Sequence, residues 1–382
     1  MRRLLAIVLC SLLIVSSLTG CWDRRELEQR ASVVAFAVDK NQEDPNLVDV
    51  AIQVPIPIRI VGAGGGGGGE GGKEAVRILT GSGRSVLAAF QNIERSLNQQ
   101  LFYGHTRIVV VSSEVAKTDI EDFVDVLRRS PQVRRLLWPV VVPGRAAELL
   151  YKDPKLEQIP MMFIKEMLES GARDKRIPDV TLGDFFISMS DTSIQPMMHM
   201  VAPTQKGMKW IGMAVFRDGK MVGNLKEPHV WAYMNMGKEQ PGGDVVIACF
   251  DSKDRDLTFH PRRVSSKVKV EEKNGEIRAL YDVKMEGDIF ESECNVDFNN
   301  EAVINKVQNA IEVELEKRAK EMIHHVQRDL ASDVLGLGFA VRAFHPEIWK
   351  KVDWDKTFPK VKIDVSYHVK VRRFGMTMGK QE

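Results

Sequence analysis

Three groups of residues have types and spacings that suggest chemistry. The first is "GAGGGGGGEGGKE", Gly62 to Glu74, in which Gly67, four further residues and then Gly72-Lys73 repeat most of a phosphate-binding loop. In such a loop the following hydroxyl ligates magnesium, whereas Glu74 would set a carboxylate against the phosphates. A run this rich in glycine also satisfies any spaced-glycine pattern, so Gly62 to Gly72 is expected to be a flexible surface loop. The second group is histidine. His324 and His325 are adjacent, so on a helix they diverge by about 100° and cannot share a metal as an i,i+4 pair can; one of them is expected to be a half-buried helix residue. His105, in "LFYGHTRIVVV", is expected to make a structural hydrogen bond, a pH-sensitive group being the alternative. With no Gly-x-Ser-x-Gly, Cys-x-x-Cys or His-Glu-x-x-His pattern, the sequence calls for no catalytic residue, no cofactor and no metal.

The third group is cysteine, and Cys21 is the specific one. Met1-Arg2-Arg3 is a cationic start, Leu4 to Leu18 is an apolar run too short to span a bilayer permanently, and Leu18-Thr19-Gly20-Cys21 has the Leu-polar-small-Cys order of a bacterial lipobox. In such a site the Cys21 thiol takes diacylglycerol, cleavage falls before it and the new amine is acylated. Two or three acyl chains anchor stably where one is marginal. Residues 1–20 therefore read as a lipoprotein signal peptide, and Cys21 as a tether. Cys10 lies in that signal, which leaves Cys249 and Cys294 in strand-like runs far apart in sequence. Buried free thiols are the expected state of these two, with a disulfide as the alternative open to an exported chain.

Charge balance excludes one class of partner. The chain has 54 Lys+Arg and 52 Asp+Glu; removal of residues 1–20 takes Arg2 and Arg3 and no acid, leaving 52 of each. A nucleic-acid binder would show a basic excess, and a second membrane signal would show a polybasic run beside the anchor. Neither is present. The roughly 360 remaining residues exceed what one core usually serves, so two or three domains are expected.

The elements that must carry these residues follow from periodicity. Val86, Phe90, Ile93 and Leu97 recur at helical spacing, "TRIVVVSS" and "LLWPVVVPG" read as strands buried on both faces, and "TDIEDFVDVLRRS", "RAAELLY" and "LEQIPMMFIKEMLES" read as helices. Strands alternating with helices argue a mixed or parallel sheet. From Gly207 strands dominate, with hairpin turns at Asp218-Gly219 and Asn274-Gly275. One long helix interrupts them, with Val303, Val307, Ile311, Leu315, Met322 and Val326 on one stripe between about Glu301 and Leu330. The expected fold class is mixed α/β and α+β: an N-terminal mixed sheet with helices, and a C-terminal antiparallel sheet with one long helix. The expected domains are residues 21–200 and 207–378, with a further division near 255.

Several blocks together are similar to one family. "GCWDRREL", "LFYGHTRIVVVSSEVAK", "FVDVLRRSPQVRRLLWPVVVPGRAAELL", "IGMAVFRDGKMVGNL" and "VQRDLASDVLGLGFAVRAFHPEIWKKVDWDKTFPKVKIDVSYHVKVRRFG" resemble, in order, the Ger(x)C family of spore-germination lipoproteins. Gln327-Arg328, Ser332-Asp333, Gly336, Gly338, Trp349, Trp354, Phe358 and Gly375 stand at that family's spacing. The chain departs from it in "SVLAAFQNI", where the family has a Phe-Glu-Ala-x-Arg run, and in its longer polyglycine loop. The resemblance implies a non-enzymatic subunit of a nutrient germinant receptor, at the outer face of the inner spore membrane, beside two integral-membrane subunits. A lipid-anchored solute-binding protein of a transporter is the alternative, and it should repeat strand-helix units in both halves around a cleft.

Overall fold

The computed structural model describes residues 1–3, 29–56, 75–118, 120–152, 157–205, 207–250, 252, 254–273 and 275–374. Fourteen strands among them form three sheets. In chain order they are β1 (Arg30–Ser32), β2 (Ala35–Lys40), β3 (Val48–Pro55), β4 (Val76–Gly83), β5 (Gln100–Phe102), β6 (Ile108–Ser112), β7 (Trp138–Val142), β8 (Met197–Thr204), β9 (Gly207–Arg217), β10 (Lys220–Leu225), β11 (Val245–Ala248), β12 (Asp256–Lys273), β13 (Glu276–Ser292) and β14 (Lys362–Phe374).

Eight strands make the main sheet, in the order β10-β9-β8-β7-β6-β2-β3-β4. Its centre is a parallel quartet of β2, β6, β7 and β8, with antiparallel strands on both sides. Ala35, Ile108 and Trp138 stand level across β2, β6 and β7, and Val140 pairs with His199 on β8, so the four strands start from one edge of the sheet. The β-branched run of β6 alternates between two cores. Ile108 and Val110 face one with Trp138 and Val140, while Val109 and Val111 face the other with Phe36 and Phe123. Burial on both faces is what the unbroken apolar run of this strand requires. Helices Val86–Glu94, Glu121–Arg129 and Leu182–Met189 contribute to the second core; helices Ala146–Leu150, Pro160–Arg173 and Glu227–Lys238 contribute to the first.

The smaller sheet has the order β11-β12-β13-β14. Its first three strands are antiparallel, as expected, and β14 adds parallel to β13, because the chain returns to it through the long helix Glu301–His324 and a connecting block. The helix covers the exposed edge: Val369 N–H donates to Glu312 Oε1 at 2.7 Å and Val371 N–H to Gln308 Oε1 at 3.0 Å. Side-chain acceptors thereby occupy donors that an open edge strand would offer to another chain. Buried residues on the helix are Val307, Ile311, Leu315, Ala319, Met322 and Ile323, close to the stripe read from sequence. One apolar core runs from Trp138 of the main sheet through Tyr233 to Phe259, Tyr281 and Val369 of the smaller one.

Both hairpins form where the sequence places them. Asp218 (φ +50°) and Gly219 (φ +70°) turn β9 into β10, and Lys273 pairs with Glu276 across the second turn. Sheet membership differs from expectation for the first hairpin. β9 and β10 lie beyond Gly207 yet extend the main sheet, since β9 pairs with β8 from Met197–Val215 to Thr204–Gly207. Leu97 lies beyond the end of the helix Val86–Glu94.

The reading of Cys249 and Cys294 as free thiols is corrected: they form a disulfide. Each follows the end of a strand, β11 and β13, both of which flank β12, so strands 45 residues apart in sequence bring the two together. Periodicity could show that both positions were in or near strands, but not which strands were neighbours. A cross-link over this loop length constrains the unfolded chain by about 2–4 kcal/mol. The Cys249→Ala, Cys294→Ala double variant is expected to lose about that much stability in denaturant titration, and equal stability of oxidised and reduced wild-type protein would contradict it.

His199 on β8 is fully buried, its Nε2–H donating to Val180 O at 3.1 Å and its ring 5.2 Å from that of Trp138. Burial lowers its pKa to about 3, against the pull of the Val180 carbonyl. Below pH 6.5 the unfolded chain takes up a proton that the folded chain refuses, so stability present above that pH is lost as pH falls towards 3. Between pH 7 and about pH 4.5 this amounts to roughly 2–3 kcal/mol. His199→Met should remove that part of the acid dependence in unfolding titrations, and an unchanged dependence would show that His199 does not contribute to it.

Candidate functional site

The block most specific in sequence, residues 325–361, folds into a buried polar junction between the sheets. It begins where the long helix widens into a π-turn, His325–Asp329. The widened turn directs Gln327 inward, where its Nε2 donates to Phe358 O at 2.8 Å and Val361 O at 2.9 Å. Those carbonyls belong to the approach to β14. Ser332, also buried, donates through Oγ to Phe216 O of β9 at 3.1 Å. Arg217, next along β9, donates to Leu330 O at 3.2 Å and Ala331 O at 3.4 Å.

Asp333 is the centre. Its Oδ1 accepts from Leu337 N–H at 3.2 Å, and its Oδ2 from Gly338 N–H at 2.7 Å and Trp354 Nε1–H at 2.9 Å. Two of these donors open the helix Leu337–Phe344, whose first turn has backbone N–H groups without helical partners. Burial pushes the Asp333 carboxyl up to about 6, while the Gly338, Trp354 and Leu337 donors pull the other way. Gly338 must lack a side chain: a Cβ there would lie 2.4 Å from Trp354 Nε1 and 2.7 Å from Ser193 O. Trp354 is 5 % exposed, and its ring lies 5.8 Å from Trp349 and 6.2 Å from Phe358.

The segment before β8 closes the junction from the other side. Gln195 N–H donates to Asp333 O at 2.9 Å. Arg342 makes a two-point contact with Asp191, 2.7 Å on each oxygen, and Asp191 also accepts from Ser193 Oγ at 2.6 Å. The Arg342 hydrogen bonds lead in holding Asp191 down at about 2, in spite of partial burial. A paired fork of this kind fixes orientation as well as distance.

This arrangement holds elements together. It has no nucleophile beside a base, and among the described residues no group of three or more His, Cys, Asp and Glu side chains is placed to hold a metal. His325 lies at its edge, half-buried, with Nδ1 2.7 Å from Asp329 Oδ2 and Nε2 3.0 Å from Asn224 O; His324 is exposed, so the adjacent pair diverges as expected. His105 departs from expectation: it is exposed and edge-on to Phe102 at 5.3 Å, while the neighbouring Thr106 makes the buried bond, to Val33 O at 3.0 Å. Cys21 and the Gly62–Gly72 loop lie outside the described residues. The family spacing marks Asp333, Trp349 and Trp354 without pointing to the bond between Asp333 and Trp354. The signal was available in an acid followed by Gly336 and Gly338 just before a helical run.

Trp354→Phe keeps an aromatic ring and deletes one Asp333 donor. It is expected to lower stability by about 1–3 kcal/mol, and Trp354→Ala by about 3–5 kcal/mol, with thermal or denaturant unfolding as the measurement. A Phe variant as stable as the parent would mean that the Asp333–Trp354 bond is idle.

Comparison with known proteins agrees with this architecture. The family model "Spore germination protein N-terminal domain" matches residues 23–203, and "Spore germination B3/ GerAC like, C-terminal" matches residues 211–375. Spore germination protein YndF of Bacillus subtilis (strain 168) is 27% identical, with 98% of this chain and 97% of that protein covered. Spore germination protein KC of the same organism is 26% identical over 98% and 96%. The crystal structure of the GerBC protein superposes with a TM-score of 0.58 at 18% identity, covering 87% of this chain and 96% of that one, and so shares the fold. With the two family models in order along most of its length, the chain belongs to the Ger(x)C family, the C-subunit family of spore germination receptors.

Proposed function

We propose that this chain is a lipid-anchored, non-catalytic subunit of a spore nutrient germinant receptor. It is tethered through acylated Cys21 at the outer face of the inner spore membrane and acts in germination by assembling with two integral-membrane subunits. The observation that carries the reading is the lipobox Leu18-Thr19-Gly20-Cys21 at the head of a chain that belongs to a germination family. The polar groups of the junction are occupied with one another, which supports a scaffold in place of a catalyst. No helix of the described residues is long and apolar enough to cross a membrane, so the reading assigns membrane attachment to the lipid. The transporter-type alternative asks for strand-helix repeats in both halves, and the hairpin-built sheet β11 to β14 argues against it.

Cys21→Ala is expected to abolish incorporation of labelled fatty acid and to release the protein from spore membranes or leave it unprocessed. Co-purification from spore membranes should recover two integral-membrane partners with the wild-type chain and lose them with the variant. Continued labelling and full membrane retention of the variant would overturn the anchor.

A further inference from the structure

The edge from which β2, β6, β7 and β8 start carries a patch beside the Asp191–Arg342 pair of the junction. The loop before β7 brings Arg134, Arg135 and Leu136 to the surface, and the helix Leu182–Met189 presents Ile187 beside them; Leu136 is 78% exposed and Ile187 66%. Arg135 O accepts from Gly183 N–H at 2.8 Å, which fixes loop and helix against each other. Between them opens a surface cavity of about 520 Å³, lined in part by Arg128, Arg135, Ile187 and Arg342. Phe339, 54% exposed, lies under Arg342 with 5.5 Å between guanidinium and ring centre. Asp191 neutralises Arg342 and Asp125 neutralises Arg129, whereas among the described residues Arg128, Arg134 and Arg135 have no carboxylate within ion-pair distance. Uncompensated arginines interleaved with exposed Leu, Ile and Phe are unusual on a surface meant only for water.

Arg30 lies at the same edge. β2 starts there, and Arg30 lines a second cavity together with Gln132 of the loop before β7. Gln132 Oε1 accepts from Tyr103 N–H at 3.1 Å, beside β5, which pairs with β1. Two strand spacings separate β2 from β7, about 10 Å. Arg30 follows Cys21 by nine residues, a reach of at most about 30 Å. Given the lipid anchor proposed above, on which this inference rests, the patch is held within one tether length of the bilayer.

We propose that Arg128, Arg134 and Arg135, with Leu136, Ile187 and Phe339, form a face that docks onto anionic phospholipid headgroups. The guanidinium groups meet lipid phosphates through paired N–H donors, and the apolar side chains enter the boundary between headgroup and acyl chain. The lipid supplies attachment; the face supplies orientation, fixing which side of the protein is turned towards its membrane neighbours. Sequence alone conceals the patch, since its residues come from positions 128 to 339 and no polybasic run flanks Cys21.

The test uses the full lipidated chain reconstituted into vesicles of phosphatidylcholine alone or with phosphatidylglycerol, with acylation of Cys21 checked by mass spectrometry. Hydrogen–deuterium exchange is then followed in peptides spanning 128–136 and 183–190. Slower exchange is expected on the phosphatidylglycerol vesicles only. Arg134→Glu with Arg135→Glu should reduce the protection by about tenfold or more, since each arginine near an anionic surface is worth about fivefold. Both side chains are exposed, so the variant should keep the parent melting temperature, and Ile187→Ser is a second probe that leaves charge unchanged. Acylated wild-type protein with equal exchange on both vesicles, or protection that needs a co-purified protein subunit, would overturn the headgroup face. A chain lacking acyl mass at Cys21 would overturn the anchor, and the inference with it.

Discussion

The carboxylate of Asp333 is the constraint on which the rest of the structure depends. It is buried among apolar side chains, where an unpaired charge would be very costly, and it is tolerated because backbone and indole N–H groups converge on it. Each donor lies on a different part of the path. Leu337 and Gly338 start one helix, Trp354 starts another beyond the short helix Pro346–Trp349, and the backbone carbonyl of Asp333 itself receives Gln195 from the segment before β8. Removing one partner leaves the others buried and unsatisfied, so such a network tends to be present whole or absent. It gives an acid, two tryptophans and two glycines a reason to stand at set intervals.

What the junction fixes is the relation between two sheets of different character. The main sheet buries its central strands on both faces and starts its parallel strands from one edge, where the arginine loop and the Asp191–Arg342 pair lie. The smaller sheet is built from a long hairpin and closed by a parallel strand whose edge donors are taken by the long helix. Gln327 holds the approach to β14, and Ser332, five residues on, holds β9 of the main sheet.

Much of this was legible in the residues, and the remainder failed for identifiable reasons. The double-faced strands at Ile108 and Trp138, the long helix stripe and both hairpin turns are local signals, set by periodicity or by one dipeptide, and they appear where expected. Strand neighbours are not local. The pairing of Cys249 with Cys294, the parallel entry of β14 and the capture of β9 and β10 by the main sheet each depend on which distant strands lie side by side. Family spacing marked Asp333, Gly338 and Trp354 without giving their roles, since those are hydrogen bonds made across 5 to 21 residues. His105 misled because its neighbour Thr106 takes the buried bond.

Native-state hydrogen exchange on the intact protein measures most directly whether the junction joins the sheets into one cooperative unit. Amides of β7 in the main sheet and of β13 in the smaller sheet should open with the same free energy in the wild type, and Asp333→Asn should lower both values together. If β13 exchanged through an opening that leaves β7 protected, with Asp333→Asn affecting only one of them, the two sheets would be independent and the junction would be a local brace.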